Sequence, residues 1–378
     1  MNRLRAAIAA ICIIFGLVAL YFTFQSDRER ETVAIAFGGL KGTHLQNEVS
    51  VTEVGSNRWI LRGKQRDVKR LCQDSGLPYI LGNEIHVAGF RSGTLPPQVH
   101  TNVLFSLPHG STNQGIKAMR DLYHVPQNVT GSGSGIALVT IGYPDEGDIN
   151  RFAKEEGIGY TPLSFFDRPG TGNRVSDPAT AVYESVRMIA PQAKIFVYSA
   201  ADATWAGLTD AMLRALGDTW AEVVVVPWSI EESSVPQPVL AMWHDIFASM
   251  REKGVVVIAA AGDRQIFPPA AGRQDYPASD PSVIGVGRAT TVPQSLGIWP
   301  ESGTRVNDHN LPNHQPANGS GPNVARITIP DSGGTFWLSG SPQRVGGSAI
   351  AAGMFGGILA DLESQGVEPF TSSGALGR

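Results

Sequence analysis

Short β-branched apolar runs alternate with amphipathic stretches from Gly135 to Val286, and this alternation restricts the fold more than any other feature of the 378-residue chain. Gly135-Ile136-Ala137-Leu138-Val139-Thr140-Ile141 has the length and branching of a buried strand, and an amphipathic helix is expected over residues 147–156. The pattern then repeats. Helix 178–189 precedes strand 194–198, helix 205–216 precedes strand 222–226, helix 239–253 precedes strand 254–260, and Val283-Ile284-Gly285-Val286 adds a further strand. Strands joined through helices lie parallel with the helices on both sheet faces, so residues 135–378 are expected to form a three-layer α/β domain with a mainly parallel sheet. Residues 289–322, rich in Asn, Pro and Gly, read as a long loop before a short β segment and a last helix of small apolar residues, 350–362.

Upstream the pattern is shorter and mixed. Trp59-Ile60-Leu61-Arg62 reads as a strand, residues 66–74 as a helix, and Ile80 and residues 84–88 as further strand. Residues 26–107 thus suit a small α+β domain, of a size that is marginal alone and leans on a neighbour. Residues 108–134 read as a polar connection with one short helix, 113–123. Gly131-Ser132-Gly133-Ser134-Gly135 resembles a phosphate loop, but a dinucleotide fingerprint follows a strand and opens a helix, whereas these glycines precede the strand. A flexible linker is the expectation there.

Residues 6–24 are apolar over a length that crosses a bilayer as a helix. Arg3 and Arg5 precede them, which predicts a cytoplasmic segment at 1–5, a single-pass anchor at 6–25, and the remainder on the periplasmic or extracellular side. Leu20-Tyr21-Phe22-Thr23-Phe24 lacks a small-x-small cleavage site and suits an interfacial belt, which favours an uncleaved anchor over a removed signal peptide. A net charge of −4 without a long basic block speaks against a nucleic-acid partner. Of the two cysteines, Cys12 falls in the anchor, so Cys72 has no partner for a disulfide in the soluble part.

Gly346-Gly347-Ser348-Ala349 stands before the last helix, where free N–H groups and the positive end of the dipole can stabilise an oxyanion. Residues 255–261 read as a buried strand ending in Gly262 and Asp263, a carboxylate at the strand edge where α/β sheets hold their sites. Together Ser348 and Asp263 suggest a serine hydrolase. The structural alternatives are that Ser348 caps its helix and that Asp263 hydrogen-bonds a turn.

Several stretches occur in one order: residues 135–141, Ala190-Pro191-Gln192-Ala193-Lys194, Trp228 after the Val-rich strand, residues 259–263, Tyr276-Pro277-Ala278-Ser279 followed by Pro281 and Val283, and Val345-Gly346-Gly347-Ser348-Ala349. Over residues 122–362 this order resembles the sedolisins, the serine-carboxyl peptidases of subtilisin-like fold. The resemblance implies Ser348 as nucleophile and Asp263 in the oxyanion hole, there protonated and favouring activity in acid. It puts residues 32–107 in the place of a propeptide.

The family's general-base Glu and orienting Asp would fall on Pro178 and Val182, neither of which can move a proton. Asp177 lies one residue earlier and reads as a helix N-cap followed by proline at the first helical position. Glu184 shares its helix face but stands two turns away, roughly 10 Å, too far for a direct relay. The family's Gly-Thr-Ser-Ala-x-Ala-Pro is Gly-Gly-Ser-Ala-Ile-Ala-Ala here, and only Asp361, Glu363 and Glu368 follow Ser348 as acids, so no calcium site or other cofactor is expected. A subtilisin triad is not written either, because Thr140-Ile141-Gly142-Tyr143 lacks its Asp and no His-Gly-Thr-His segment occurs. His309 and His314 lack a third ligand and read as loop residues.

Two functions are therefore expected as alternatives. One is a catalytically impaired, membrane-anchored subunit that binds or scaffolds a protein partner in a membrane complex. The other is an acid-optimum serine endopeptidase acting on peptide substrates, with Ser348, Asp263 and a base from Asp177, Glu184 or a residue that the sequence does not place.

Overall fold

A computed structural model describes residues 31–39, 48–54, 57–87, 90–93, 96–105, 115–123, 125–159, 164–165, 175–200, 203–218, 220–263, 275–292, 295–298, 327–330 and 335–367. The expected anchor at 6–25, Cys12, His309, His314 and Glu368 lie outside them. Among the described residues no helix is long and apolar enough to cross a membrane. The chain divides into two compact units, Met1–Leu95 and Pro96–Arg378.

The first unit is an antiparallel sheet with one helix. Strands β1 (Glu31–Phe37), β2 (Val49–Glu53), β3 (Arg58–Lys64), β4 (Tyr79–Leu81), β5 (Glu84–Val87) and β6 (Phe90–Gly93) lie in the order β2-β3-β1-β4-β5-β6. Helix α1 (Gln65–Ser75) places Val68, Leu71 and Cys72 against Ala34, Leu61 and Leu81 of the sheet. The central strand β1 is not legible in the sequence, because its alternate Ala34 and Ala36 are weak strand formers and gain their place from partners on both sides. Burial pushes the Cys72 thiol up to about 12.

The larger unit begins earlier than expected. Residues 96–105 belong to it, because β7 (Leu104–Phe105) pairs with a strand more than two hundred residues away. Helix α2 (Ile116–Leu122) follows, and residues 131–134 are a packed turn rather than a flexible linker. Gly131 has φ +70 and a Cβ there would stand 2.8 Å from the Ala190 Cβ, while the Ser134 hydroxyl donates to the Gly131 carbonyl at 2.7 Å.

Next come β8 (Gly135–Ile141), α3 (Glu146–Glu155), β9 (Ser164–Phe165), α4 (Asp177–Ile189), β10 (Lys194–Ala200), α5 (Trp205–Gly217), β11 (Val223–Val226), β12 (Ile230–Glu231), α6 (Gln237–Glu252) and β13 (Val256–Ala260). The rest are β14 (Asp275–Tyr276), β15 (Ile284–Val292), β16 (Ser295–Ile298), β17 (Ile327–Pro330), β18 (Thr335–Leu338), β19 (Ser341–Gly346) and α7 (Ser348–Ser364). The main sheet runs β16-β15-β13-β11-β8-β10-β9, with β17 also paired to β15. All its pairs are parallel except β15 with β16. Residues 289–292 and 295–298, expected as loop, are that antiparallel pair: Thr290, Thr291 and Val292 favour strand although the stretch as a whole is Pro- and Gly-rich.

Three layers result. Ile136, Leu138, Val223, Val225, Ile258 and Ala260, alternate positions of the sheet, share one core with α4 and α7. The intervening positions are left for the opposite face, where α5 and α6 pack against β8, β10 and β13. Helix α7 is rich in small residues because it touches both α4 and the sheet. A Cβ on Gly353 would stand 2.0 Å from the Ser185 Oγ, and one on Gly356 2.8 Å from Val225 Cγ2.

The cap of helix α4 lies one residue earlier than expected. Ser176 is the N-cap, its hydroxyl accepting from the Ala179 N–H at 3.4 Å, so Asp177 is the first helical residue and Pro178 the second. Proline is tolerated there because first-turn N–H groups have no intrahelical acceptor.

Candidate active site

Ser348 is the first residue of α7, not its cap. Gly347 takes the N-cap position at φ +118 with no side chain to offer, and the Ser348 hydroxyl is free to reach across the sheet edge. There β13 has ended and the chain turns through Gly262 at φ +94 into Asp263. The Ser348 Oγ accepts from the Gly262 N–H at 3.1 Å and donates to Asp263 Oδ2 at 3.0 Å. The Ser348 backbone N–H donates to the same Oδ2 at 2.6 Å. Asp263 therefore joins the two elements and does more than close a turn.

This geometry limits the chemistry. A hydrolase of this kind needs a base for the hydroxyl proton and N–H donors aimed at the developing oxyanion. Among the described residues Asp263 Oδ2 is the side-chain acceptor for the Ser348 proton, and it also occupies the Ser348 N–H that an oxyanion would need.

Asp177 and Glu184 lie on one helix face, as their spacing predicts, but that face meets the hairpin β18–β19 rather than the serine. Asp177 Oδ2 accepts from the Ser339 hydroxyl at 2.7 Å, and Glu184 Oε2 accepts from the Trp337 N–H at 2.8 Å. Neither carboxylate hydrogen-bonds Ser348. Glu184 is fully buried, and burial raises its carboxyl well above the usual range. Pro178 and Val182 instead line a small cavity of about 20 Å³ with Thr101, Thr140, Pro227 and Trp228. No carboxylate lines it.

Sequence reasoning missed the residues that cover Ser348. His100 and Ser229 exchange backbone hydrogen bonds at 2.8 and 3.0 Å, and the Asn102 amide donates to the Ser229 hydroxyl at 3.0 Å. The Asn102 carbonyl then accepts from the Ala349 N–H at 3.1 Å, and β7 pairs Leu104 and Phe105 with Gly346 and Val345. Ser348 is fully buried beneath this segment. Asn102 sits at φ +53, a conformation Asn adopts more readily than most residues. Asp148 was missed as well. Its Oδ1 accepts from the Gly340 N–H at 3.0 Å, beside Asp177 and Glu184 on the same hairpin.

The stretches that carried the resemblance are built into the frame around this edge. Trp228 donates its indole N–H to the Val139 carbonyl at 2.9 Å, and the Tyr276 hydroxyl donates to Asp280 Oδ2 at 2.9 Å next to the cis Tyr276-Pro277 bond. His244 Nδ1 lies 3.1 Å from the same Asp280 oxygen.

No family model matches the chain. Kumamolisin of Bacillus sp. (strain MN-32) is 26% identical over 285 residues, which cover 64% of this chain and 51% of kumamolisin. The chain thus spans about half the length of that curated relative. Among solved structures, Pseudomonas sedolisin, a serine-carboxyl proteinase complexed with two molecules of pseudo-iodotyrostatin, superposes with a TM-score of 0.57 at 18% identity, over 71% of this chain and 83% of its own. Fervidolysin from Fervidobacterium pennivorans, a keratinolytic enzyme related to subtilisin, gives a TM-score of 0.54 at 13% identity, over 89% of this chain and 55% of its own. The parallel sheet, the strand ending in Asp263 and the helix opening with Ser348 are accordingly those of the subtilisin-like fold that sedolisin and kumamolisin share.

Proposed function

We propose that this chain is a catalytically silent, membrane-anchored protein of sedolisin fold that serves as a binding or scaffold subunit for a protein partner on the outer side of a membrane. The observation that carries this reading is that, among the described residues, Asp263 is the carboxylate the Ser348 hydroxyl bonds, and neither Asp177 nor Glu184 reaches it. Its proton points to an Asp263 oxygen already holding the Ser348 N–H, while Asp177 and Glu184 are engaged with the hairpin. An unassisted serine hydroxyl is a poor nucleophile at neutral or acid pH. The cover formed by residues 100–105 works in the same direction, since a substrate carbonyl would have to displace Asn102 to approach Ser348.

Anchoring is inferred from Arg3, Arg5 and the apolar run 6–24. Recovery of the intact N-terminus from washed membranes is the expected result, and a mature chain starting after Phe24 would overturn it. For the site, the full-length protein is incubated with a serine-reactive phosphonate between pH 3 and 7, with Ser348→Ala alongside. No Ser348-dependent labelling is expected. Labelling that vanishes in the variant would instead support an acid-optimum serine endopeptidase, the reading favoured by the 3.0 Å hydrogen bond from Ser348 to Asp263.

A further inference from the structure

Three carboxylates from two helices converge on the hairpin that delivers Ser348. Asp148 of α3 holds the Gly340 N–H, Asp177 of α4 holds the Ser339 hydroxyl, and Glu184 of α4 holds the Trp337 N–H. Arg151 of α3 completes the grip, donating to the Gly340 carbonyl at 2.8 Å with its guanidinium 5.9 Å from the Trp337 ring centre. Strand β19 of this hairpin runs directly into Gly346-Gly347-Ser348, and its other edge carries β7 and so the cover over the serine. We propose that the β18–β19 hairpin is a pH-sensitive catch on the Ser348 loop and its cover, closed in acid and loosened as the solution turns neutral and alkaline.

The chemistry lies in Glu184. Its Oε2 holds Trp337, whereas its buried Oε1 has no hydrogen-bond partner. A protonated carboxyl meets this environment at less cost than an ionised one, whose buried charge is offset by the Trp337 N–H alone. Burial weighs most against the charged form, the Trp337 N–H favours it, and the surrounding charges add to the effect of burial. Helix α3 brings Asp148 and Arg151, with Glu156 just past its end, and Asp148 and Glu156 both disfavour a charge on Glu184. Arg151 is spent on Gly340. On α4 itself stand Asp177 at the far end of the face and Arg187, which is directed to the Gly159 carbonyl. Helix α2 offers Lys117 and Arg120, the latter bound to the Ile189, Val129 and Pro126 carbonyls. Strand β8 carries no charged residue, α7 none before Asp361, and the hairpin contributes only Arg344.

The sign follows. Burial raises the folded-state pKa of Glu184, so the folded protein holds this proton more tightly than the unfolded chain. The stabilisation is complete below the ordinary glutamate range and is lost as pH rises through the raised value. The catch does not depend on whether the cleft is catalytic; it governs access to Ser348 for substrate or partner alike.

Hydrogen exchange of the full-length protein tests this through protection factors, which remove the intrinsic pH dependence. Between pH 5 and 9 protection of the Trp337 amide should fall by about tenfold or more, the size of one pKa unit of coupling. In Glu184→Gln the fall should shrink to the slope that Asp148, Asp361 and Glu363 contribute, because the amide keeps an acceptor without titrating. In Asp148→Asn the midpoint should move to lower pH, since one neighbouring negative charge is gone. A flat profile in the wild type, or the same fall in Glu184→Gln, would overturn the proposal. Should Glu184→Gln not fold, an unmoved midpoint in Asp148→Asn would overturn it equally.

Discussion

Asp263 Oδ2 accepts two hydrogen bonds from Ser348, one from the hydroxyl at 3.0 Å and one from the backbone N–H at 2.6 Å. One oxygen thereby ties the end of β13 to the start of α7. Removing it strands a buried N–H and leaves the hydroxyl with no carboxylate to donate to. Asp263→Ala should cost about 2 kcal/mol or more of unfolding free energy, by the usual price of unsatisfied buried donors, and Asp263→Asn less because an amide oxygen still accepts. Urea denaturation checks this; unchanged midpoints would mean that the pair contributes nothing to the fold.

Gly347 should tolerate no side chain. Its φ of +118 lies where L-residues are strained, and a Cβ would stand 2.3 Å from the Asn102 carbonyl oxygen. Gly347→Ala is expected to destabilise by more than ~2 kcal/mol, since backbone strain and a backbone clash act together. A thermal melt within 2 °C of the wild type, roughly the shift of half a kcal/mol in a domain of this size, would contradict it.

Asn102→Ala removes the amide hydrogen bond to Ser229 and puts a Cβ-bearing residue without a local polar group at φ +53. The cover over Ser348 should loosen at a cost of about 1 kcal/mol. Limited proteolysis reports it directly: cleavage within residues 96–105 should accelerate several-fold while cleavage elsewhere stays constant.

Asp361 and Glu363 should make the larger unit more stable in mild acid than in mild alkali. Burial pushes both carboxyls up to about 7, with Arg120 at 3.7 Å from Asp361 opposing the shift and Glu222 adding to that of Glu363. A folded-state value above the unfolded one means the contribution is present below about pH 4 and is lost as pH rises through about 7. Unfolding midpoints should therefore fall between pH 5 and 8, and Asp361→Asn with Glu363→Gln should flatten most of that slope. The remainder has the sign expected of Glu184.

Cys72 should be inert in the folded small unit. It is buried in the core beside Val68 and Leu71, and burial pushes its thiol up to about 12, so almost no thiolate exists at pH 8. Mass spectrometry after iodoacetamide treatment should find Cys72 unmodified in the native protein and fully alkylated in denaturant. Rapid native labelling would show that the unit opens readily.

The parallel core was legible because burial on both faces demands continuous apolar strands, and Gly135–Ile141 and Val223–Val226 are written that way. The pairing of Asp263 with Ser348 was foreshadowed by position, since each closes or opens an element at the same sheet edge. Asp177 was misjudged by one residue because serine and aspartate cap equally well and only the hydrogen bond to Ala179 distinguishes them. Strand β7 and Asn102 left no usable signal: two strand residues and one turn residue have no periodicity, and their partners lie far along the chain.

By itself the sequence determined the layer order, the placement of a serine at a helix start and an aspartate at a strand end, and the presence of proline and valine, which carry no titratable proton, at positions 178 and 182. Those are local properties, set by apolar periodicity and residue chemistry. Only the tertiary structure decided what the remaining acids do. Whether Asp148, Asp177 and Glu184 act on Ser348 or grip the hairpin that carries it depends on which surface their helix faces meet, and helix periodicity defines a face without naming its neighbour.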